Sequence, residues 1–270
     1  MKLGIGTYAY MWSIGFPGAA PKHPLDALGL LEKAQHLGVR VVQYGPNLSL
    51  GVLSRRDLEA VKQRSRAWGI EIEIGTRGLV RDHLLGQMEL AREVGSTLLR
   101  SIPEMENGRT ATMPEIRDHL GAIVQDLEKA EIRLALENGR IPAQELSEVL
   151  DPLQSPWLGI TLDTVNSLAI PEGTEQVVRV LARHTMCFHV KDFVIERAWH
   201  LMGFTVEGRA AGKGQMNFPW ILQQLRAAGS TANAILELWP PPQAELEATI
   251  AVEQAWAEES IHYLRQYIPD

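Results

Sequence analysis

Four short apolar segments decide the fold: IRLALEN (residues 132–138), WLGITLDT (157–164), MCFHVKD (186–192) and AILELW (234–239). Continuous apolar runs of this length are typical of buried parallel strands. Each run carries one side chain that binds metals, at or near its C-terminal end: Glu137, Asp163, His189 and Glu237. In a parallel β/α barrel the active site lies at the C-terminal ends of the strands, so polar residues there indicate catalysis. Three carboxylates and one imidazole at this edge predict a site for one divalent metal ion.

Strand-like and helix-like segments alternate along the whole chain. The predicted strands are Leu3–Gly6, Val39–Tyr44, Ile70–Gly75, Thr97–Ile102, Ile132–Glu137, Leu158–Asp163, Met186–Lys191 and Ala234–Leu238. The predicted amphipathic helices are Leu25–Leu37, Arg55–Trp68, Asp82–Val94, Pro114–Ala130, Ala143–Leu150, Glu172–Ala182, Phe218–Ala228 and one from Ala244 to about Tyr267. Eight such units without a flexible linker predict an α/β protein, a single-domain (β/α)8 TIM barrel over residues 1–270. The alternative, a doubly wound open sheet, needs a glycine-rich phosphate loop, and GIGTYAYMW (4–12) lacks its spacing.

Composition excludes several classes of protein. A net charge of −7 and a pI near 5.7 argue against a nucleic-acid surface, which is normally basic. Cys187 is the only cysteine, so the chain has no intrachain disulfide and suits a reducing compartment. No window approaches the roughly 18 apolar residues of a membrane span, and glycines and a proline interrupt the N-terminal apolar stretch. We therefore expect a cytoplasmic protein with neither nucleic acid nor membrane as a partner.

The longest segment without helical or strand periodicity runs from residue 193 to residue 214. It contains Trp199, His200, Met202 and Phe204, which is too aromatic for a flexible linker. Long loops in compact domains are usually functional or disordered. We expect this segment to form a lid or wall of the active site.

The chain resembles the sugar-phosphate isomerase/epimerase group of xylose isomerase-like TIM barrels. The matching stretches are LEN (136–138), LDTVNS (162–167), HVKDF (189–193), EGRAAGKGQMNFPWIL (207–222) and LELW (236–239). The resemblance implies that Glu137, Asp163, His189 and Glu237 bind one divalent metal, with Mn²⁺ favoured over Mg²⁺, Co²⁺ or Zn²⁺. It also implies that Glu137 and Glu237 act as the catalytic acid and base on a small sugar or sugar acid. Many relatives are homodimers or homotetramers.

Five further residues are candidates for substrate binding. Lys191 shares strand parity with His189 and should face the barrel mouth, where it binds substrate or forms an ion pair with Asp163 or Asp192. Arg209 lies in the Arg-x-x-Gly-x-Gly stretch and could contact a hydroxyl or carboxylate. The remaining candidates are Asn166, His200 and Arg100. Gln43 and Glu73 also lie on predicted strands, but the sequence does not determine their direction.

Two departures from the family pattern bear on the reaction. Familiar ketose 3-epimerases have a histidine and a glutamate at the positions of Asn166 and Ala143. The stretch MGFTVEGRAAGKGQ (202–215) instead resembles a subgroup that includes decarboxylases of 3-oxo sugar acids such as 3-oxo-isoapionate.

Three functions are consistent with the predicted site. The first, which the breadth of the resembled family favours, is a metal-dependent isomerase or epimerase that acts on a ketose or oxidised sugar through an enediolate. The second is a carboxy-lyase, which reaches a similar enolate by losing carbon dioxide. The third, a phosphodiesterase like endonuclease IV, is disfavoured, because those enzymes use three metals, many more histidines and a basic groove, whereas this chain has 8 histidines and a net charge of −7.

Overall fold

A closed barrel of parallel strands forms the centre of the protein. The computed structural model describes residues 1–269. The strands are β1 (Leu3–Gly6), β2 (Val41–Tyr44), β3 (Glu71–Arg77), β4 (Leu98–Ile102), β5 (Arg133–Glu137), β6 (Leu158–Asp163), β7 (Thr185–Val190), β8 (Asp192–Arg197), β9 (Phe204–Arg209) and β10 (Asn233–Leu236). Strands β1 to β7 and β10 close the barrel in chain order, with β10 paired to both β7 and β1. The predicted (β/α)8 barrel is confirmed.

Helices surround the barrel and bury one face each. They are α1 (Met11–Ile14), α2 (Ala27–Leu37), α3 (Arg55–Trp68), α4 (Arg81–Val94), α5 (Met113–Ala130), α6 (Ala143–Leu150), α7 (Thr174–Leu181), α8 (Phe218–Ala227) and α9 (Leu246–Leu264). In α5 the fully buried residues Ile116, Leu120, Ile123 and Leu127 follow the helical period. Burial of each such side chain contributes about 1.5–3 kcal/mol, which attaches the helix to the barrel. Within residues 1–269, no helix combines the length and apolar character required to cross a membrane.

The segment that follows β7 differs from the irregular loop expected at residues 193–214. β8 and β9 form an antiparallel two-stranded sheet outside the barrel, with Asp192 opposite Arg209 and Arg197 opposite Phe204. Phe193 and Ile195 of β8 lie opposite Gly208 and Val206 of β9, and residues two apart share a face of a strand, so apolar side chains meet on one face of the hairpin. Near the turn, Trp199 and Met202 are 93% and 88% exposed. The expected loop is therefore a β-hairpin that begins two residues after the C-terminal end of β7.

A buried carboxylate anchors the base of this hairpin. Asp192 Oδ2 accepts the backbone N–H groups of Gly212 and Gly214, both at 2.9 Å, and Oδ1 accepts those of Phe193 and Met216. A Cβ atom on Gly214 would lie 2.2 Å from Asp192 Oδ1 and 2.4 Å from the Phe193 carbonyl oxygen. Only glycine fits at residue 214 without moving this hydrogen-bonded turn.

Gly214→Ala should therefore destabilise the fold. We expect a loss of about 1–3 kcal/mol in the free energy of unfolding, because the added methyl group overpacks the Asp192 turn. Gly121→Ala is the matched control, since Gly121 lies within α5 and a Cβ atom there would have open space around it. Alanine at this position should raise the free energy of unfolding by about 1 kcal/mol. Urea unfolding followed by circular dichroism measures both. Equal unfolding midpoints for the two variants would contradict the packing argument.

Candidate active site

Three predicted metal ligands meet at the C-terminal end of the barrel. Glu137 ends β5, Asp163 ends β6, and His189 lies near the end of β7. The register pairs Asp163 directly with His189, which brings their side chains to the same level of the barrel. Glu137, Asp163 and His189 each offer one ligand atom, all within 4.8 Å of one another, and all three residues are buried. This group, referred to below as the ligand cluster, is an arrangement that could hold a metal ion.

Glu237, the fourth predicted ligand, lies beside the ligand cluster. It follows β10 immediately, and its Oε1 atom is 3.4 Å from His189 Nδ1. Its other oxygen, Oε2, is 2.8 Å from Lys191 Nζ. Glu237 thus contacts both the imidazole and a lysine.

Local hydrogen bonds determine the direction of the Asp163 carboxylate. Oδ1 accepts the backbone N–H groups of Val165 and Asn166 at 2.8 and 2.9 Å. The Asn138 side chain accepts from the Asp163 N–H and donates to its carbonyl oxygen, which holds the strand end in place. The other carboxylate oxygen, Oδ2, points toward the remaining members of the ligand cluster and lies 3.8 Å from His189 Nδ1.

Two cations, one buried and one partly buried, balance the carboxylates. Lys191 Nζ lies 2.8 Å from Asp163 Oδ2 as well as from Glu237, so the predicted ion pair with Asp163 is present. Arg100 is 2% exposed, and its Nε atom is 2.6 Å from Glu137 Oε2. Arg100 also lies 3.9 Å from Glu237 Oε1. Both cations are thus within ion-pairing distance of the glutamates.

These charges shift the pKa values of the site. Burial opposes ionisation of Asp163, but Lys191 and His189 outweigh it and hold the pKa of this carboxyl well below its ordinary range. Burial likewise opposes the charge on Lys191, yet Asp163, Glu237 and Glu137 raise its pKa. The pKa of Glu237 is lowered, since His189, Lys191 and Arg100 together outweigh its burial. Asp163 and Glu237 are therefore anions, and Lys191 is a cation, at neutral pH.

The donor atoms suit a divalent metal. Glu137 Oε2, Asp163 Oδ2 and His189 Nδ1 are buried without a well-aligned hydrogen-bond partner among the described residues. His189 Nδ1 lies 3.7 Å from Glu137 Oε2 and 3.8 Å from Asp163 Oδ2, so the three donor atoms surround one point beside the ion pairs with Arg100 and Lys191. Carboxylate oxygens with an imidazole nitrogen form a donor set typical of Mn²⁺, Mg²⁺ or Zn²⁺ sites.

A cavity of about 310 Å³ opens above the cluster. Its lining includes Glu137, Glu237, Lys191, Arg100 and Asn166, so five predicted site residues share one space. The lining also includes residues that the sequence did not identify as site residues: Tyr8, Met11, Arg77, Ile102, Val165 and Leu238. Tyr8 is the second residue after the end of β1, and the strand-end rule could have found it. Trp239 lines this cavity as well.

A second cavity, of about 270 Å³, shares the lining residues Ile102, Glu137 and Asn166 with the first. Arg140 lines it and lies 3.2 Å from Glu104, which also pairs with Arg77 at 2.6 Å. Since Arg77 lines the first cavity, Glu104 holds one arginine beside each cavity.

Four other residues considered from the sequence lie away from these cavities. Arg209 pairs with Glu207 and the Gly208 carbonyl oxygen at the end of β9. His200 is exposed near the hairpin turn, with its ring against Trp199. Gln43 and Glu73 lie in the barrel interior, where Gln43 Oε1 is 2.8 Å from His189 Nε2. Roles for Arg209 and His200 in substrate binding stay predictions.

Comparison with known proteins agrees with the barrel fold. A family described as xylose isomerase-like TIM barrels matches residues 13–267. The 3-oxo-isoapionate decarboxylase of Pectobacterium atrosepticum is 32% identical over 267 residues, which cover 98% of this chain and 95% of that enzyme.

Solved structures share the fold at low identity. D-psicose 3-epimerase from Clostridium cellulolyticum H10, solved with D-tagatose, superposes with a TM-score of 0.74 at 14% identity over 99% of each chain. A xylose isomerase-like TIM barrel protein from Mycobacterium smegmatis, solved in complex with magnesium, has a TM-score of 0.69 at 12% identity over 97% of each chain. With its closed barrel and the match over residues 13–267, this chain belongs to the xylose isomerase-like TIM barrel family.

Proposed function

We propose that this protein is a divalent-metal-dependent decarboxylase of a 3-oxo sugar acid, in the substrate class of 3-oxo-isoapionate. The observation that carries the proposal is that a cation, buried Arg100 or partly buried Lys191, contacts each glutamate of the expected acid–base pair. Arg100 Nε lies 2.6 Å from Glu137, and Lys191 Nζ lies 2.8 Å from Glu237. A carboxylate paired with a cation is a weaker base toward a carbon-bound proton. Decarboxylation needs no such base, because cleavage of the carbon–carbon bond leaves its electron pair on the carbon that lost the carboxyl group, as an enolate.

Sequence similarity supports the same reaction. The relative that is 32% identical over nearly the whole chain is a 3-oxo-isoapionate decarboxylase. Asn166 and Ala143 replace the two side chains expected of ketose 3-epimerases, and Ala143 lies at the start of α6 outside the cavity lining. This ordering reverses the sequence-based preference for an isomerase or epimerase.

The charges of the cavity suit an anionic substrate. Glu137, Asp163 and Glu237 carry three negative charges when ionised, and Arg100 and Lys191 carry two positive ones. A divalent ion on the ligand cluster, with Glu237 as fourth ligand, converts this excess of one negative charge into one positive charge. Such a site attracts a sugar acid more strongly than a neutral ketose. Mn²⁺ is the favoured metal, and one structural neighbour is described with magnesium.

When bound, the divalent cation supplies a Lewis acid for the substrate carbonyl. Lys191 and Arg100 line the cavity as fixed positive charges, where they stabilise negative charge that moves onto the carbonyl oxygen. Met11, Leu238 and Trp239 exclude water around the departing carbon dioxide. Burial raises the pKa of Tyr8, so its hydroxyl stays protonated beside the cavity and can donate a proton to the carbon that lost the carboxyl group.

An isomerase or epimerase is the second candidate. Glu137 and Glu237 both line the larger cavity, as a two-carboxylate proton transfer requires. Epimerases are also among the structural neighbours, although their identity of 14% supports the fold alone.

Asp163→Asn should weaken metal binding at least tenfold. The variant can keep the Oδ1 contacts to the Val165 and Asn166 N–H groups, but it turns an amide N–H₂ group toward the cation. Metal content after dialysis against Mn²⁺ measures the loss. Asp126→Asn is the matched control, because Asp126 pairs with Arg81 on the protein surface. Equal Mn²⁺ content in the wild type, Asp163→Asn and Asp126→Asn would remove Asp163 from the ligand set.

Incubation of the Mn²⁺-loaded protein with 3-oxo-isoapionate in heavy water should release carbon dioxide and leave one deuterium in the product. Lys191→Met should lower kcat by about 10²–10³-fold, the usual cost of removing one preorganised electrostatic contact. Lys213→Met, at an exposed lysine paired with Glu259, should be unaffected. Gas evolution and mass spectrometry give the readouts. Deuterium exchange into a ketose without gas release would instead establish the isomerase alternative.

A further inference from the structure

A chain of hydrogen bonds crosses the barrel interior and ends on His189. Asn233 Nδ2 donates to Glu73 Oε1 at 2.9 Å, and Gln43 Nε2 donates to Glu73 Oε2 at 3.0 Å. Gln43 Oε1 then lies 2.8 Å from His189 Nε2. Gln43, Glu73 and His189 are all buried, so water does not substitute for these contacts.

The surroundings of Gln43 leave its amide one orientation. Its Nε2 atom also lies 3.3 Å from Cys187 Sγ, so both amide hydrogens have an acceptor. A flipped amide would place its oxygen against the Glu73 carboxylate and lose both donated bonds. An oxygen facing an oxygen in a buried site leaves both groups unsatisfied, at a cost of about 1–3 kcal/mol for each. Gln43 therefore presents its oxygen, an acceptor only, to His189.

An imidazole must be neutral to bind a metal, and this orientation determines where the neutral ring carries its proton. Because the amide oxygen cannot donate, His189 Nε2 must be the N–H donor, and the lone pair lies on Nδ1. Nδ1 is the nitrogen that faces the carboxylates, at 3.4 Å from Glu237 and 3.7 Å from Glu137. A metal-bound imidazole usually gives its second N–H group to an acceptor that orients the ring.

We propose that Gln43, held by Glu73, is a positioning residue that fixes His189 in the tautomer able to bind metal through Nδ1. The inference rests on the metal site of the proposed function and is independent of which reaction follows. Loss of an orienting partner typically lowers metal affinity by about 10–100-fold. Glu73 acts one step further away, since it orients Gln43 rather than the imidazole.

Calorimetric titration with Mn²⁺ tests the proposal without measuring activity. We expect Gln43→Leu, which removes the acceptor at similar volume, to lower Mn²⁺ affinity by about 10–100-fold. Glu73→Gln should cause a smaller loss, because it frees the Gln43 amide to rotate. Thr161→Val is the matched control: Thr161 is buried in β6, and its hydroxyl has no hydrogen-bond partner among the described residues. If Gln43→Leu does not fold, as judged by circular dichroism, Gln43→Asn replaces it, since the shorter side chain withdraws the oxygen.

Nuclear magnetic resonance of ¹⁵N-histidine-labelled protein with Zn²⁺ gives a second readout. The wild type should show His189 protonated at Nε2 and coordinated through Nδ1, whereas Gln43→Leu should show a mixture of ring states. Wild-type affinity and an unchanged spectrum in Gln43→Leu would overturn the positioning role. Absence of Mn²⁺ binding by the wild type would overturn the metal site and this inference together. Tight Mn²⁺ binding without carbon dioxide release would overturn only the decarboxylase.

Discussion

The structure of the active site depends on the packing of three carboxylates into one buried space. Two like charges about 4 Å apart repel by about 4 kcal/mol at the effective dielectric of a protein site. Glu137, Asp163 and Glu237 all lie within 4 Å of His189 Nδ1, so their negative charges require nearby positive charge. Arg100 and Lys191 supply most of it from within the barrel, since neither has a large exposed surface. The remaining negative charge makes this point of the molecule a favourable position for a divalent cation.

The barrel interior is adapted to the same site. TIM-barrel interiors are normally filled by bulky branched apolar side chains. Here Gln43, Glu73 and Cys187 lie among the interior residues, and each is buried and in polar contact with another member of the group. A buried polar network costs stability unless its members are satisfied, and when satisfied it holds one geometry. In this protein the geometry that it holds is that of His189, the central residue of the ligand cluster.

The sequence predicted the features that depend on hydrophobic periodicity and on the position of a residue within a strand. Parallel strands end at one edge of the barrel, so the position of Glu137, Asp163 and His189 near strand ends predicted that they lie together. The alternation of side chains along a strand predicted that Lys191 faces the same side as His189. It did not predict the Arg100 contact with Glu137, since a long side chain can reach several neighbours and only the packed barrel selects one. It also missed the β-hairpin at residues 193–214, because its two strands pair with each other outside the repeating βα pattern. The direction of Gln43 likewise follows only from the neighbours that surround its amide.

Glu237 connects the metal and substrate parts of the proposed function. Its two oxygens contact different partners, with Oε1 toward His189 and Oε2 toward Lys191. If Glu237 also becomes a ligand, its charge is shared with the metal and balances Lys191 less completely. Asp163 Oδ2, the other contact of Lys191, is a ligand atom as well, so the metal also takes up part of its charge and Lys191 can attract a substrate oxygen. Because ligands that alter each other's affinity do so reciprocally, an anionic substrate and the cation should bind more tightly together than either does alone. A neutral ketose gains less from that coupling, which is a further electrostatic reason to favour a sugar acid.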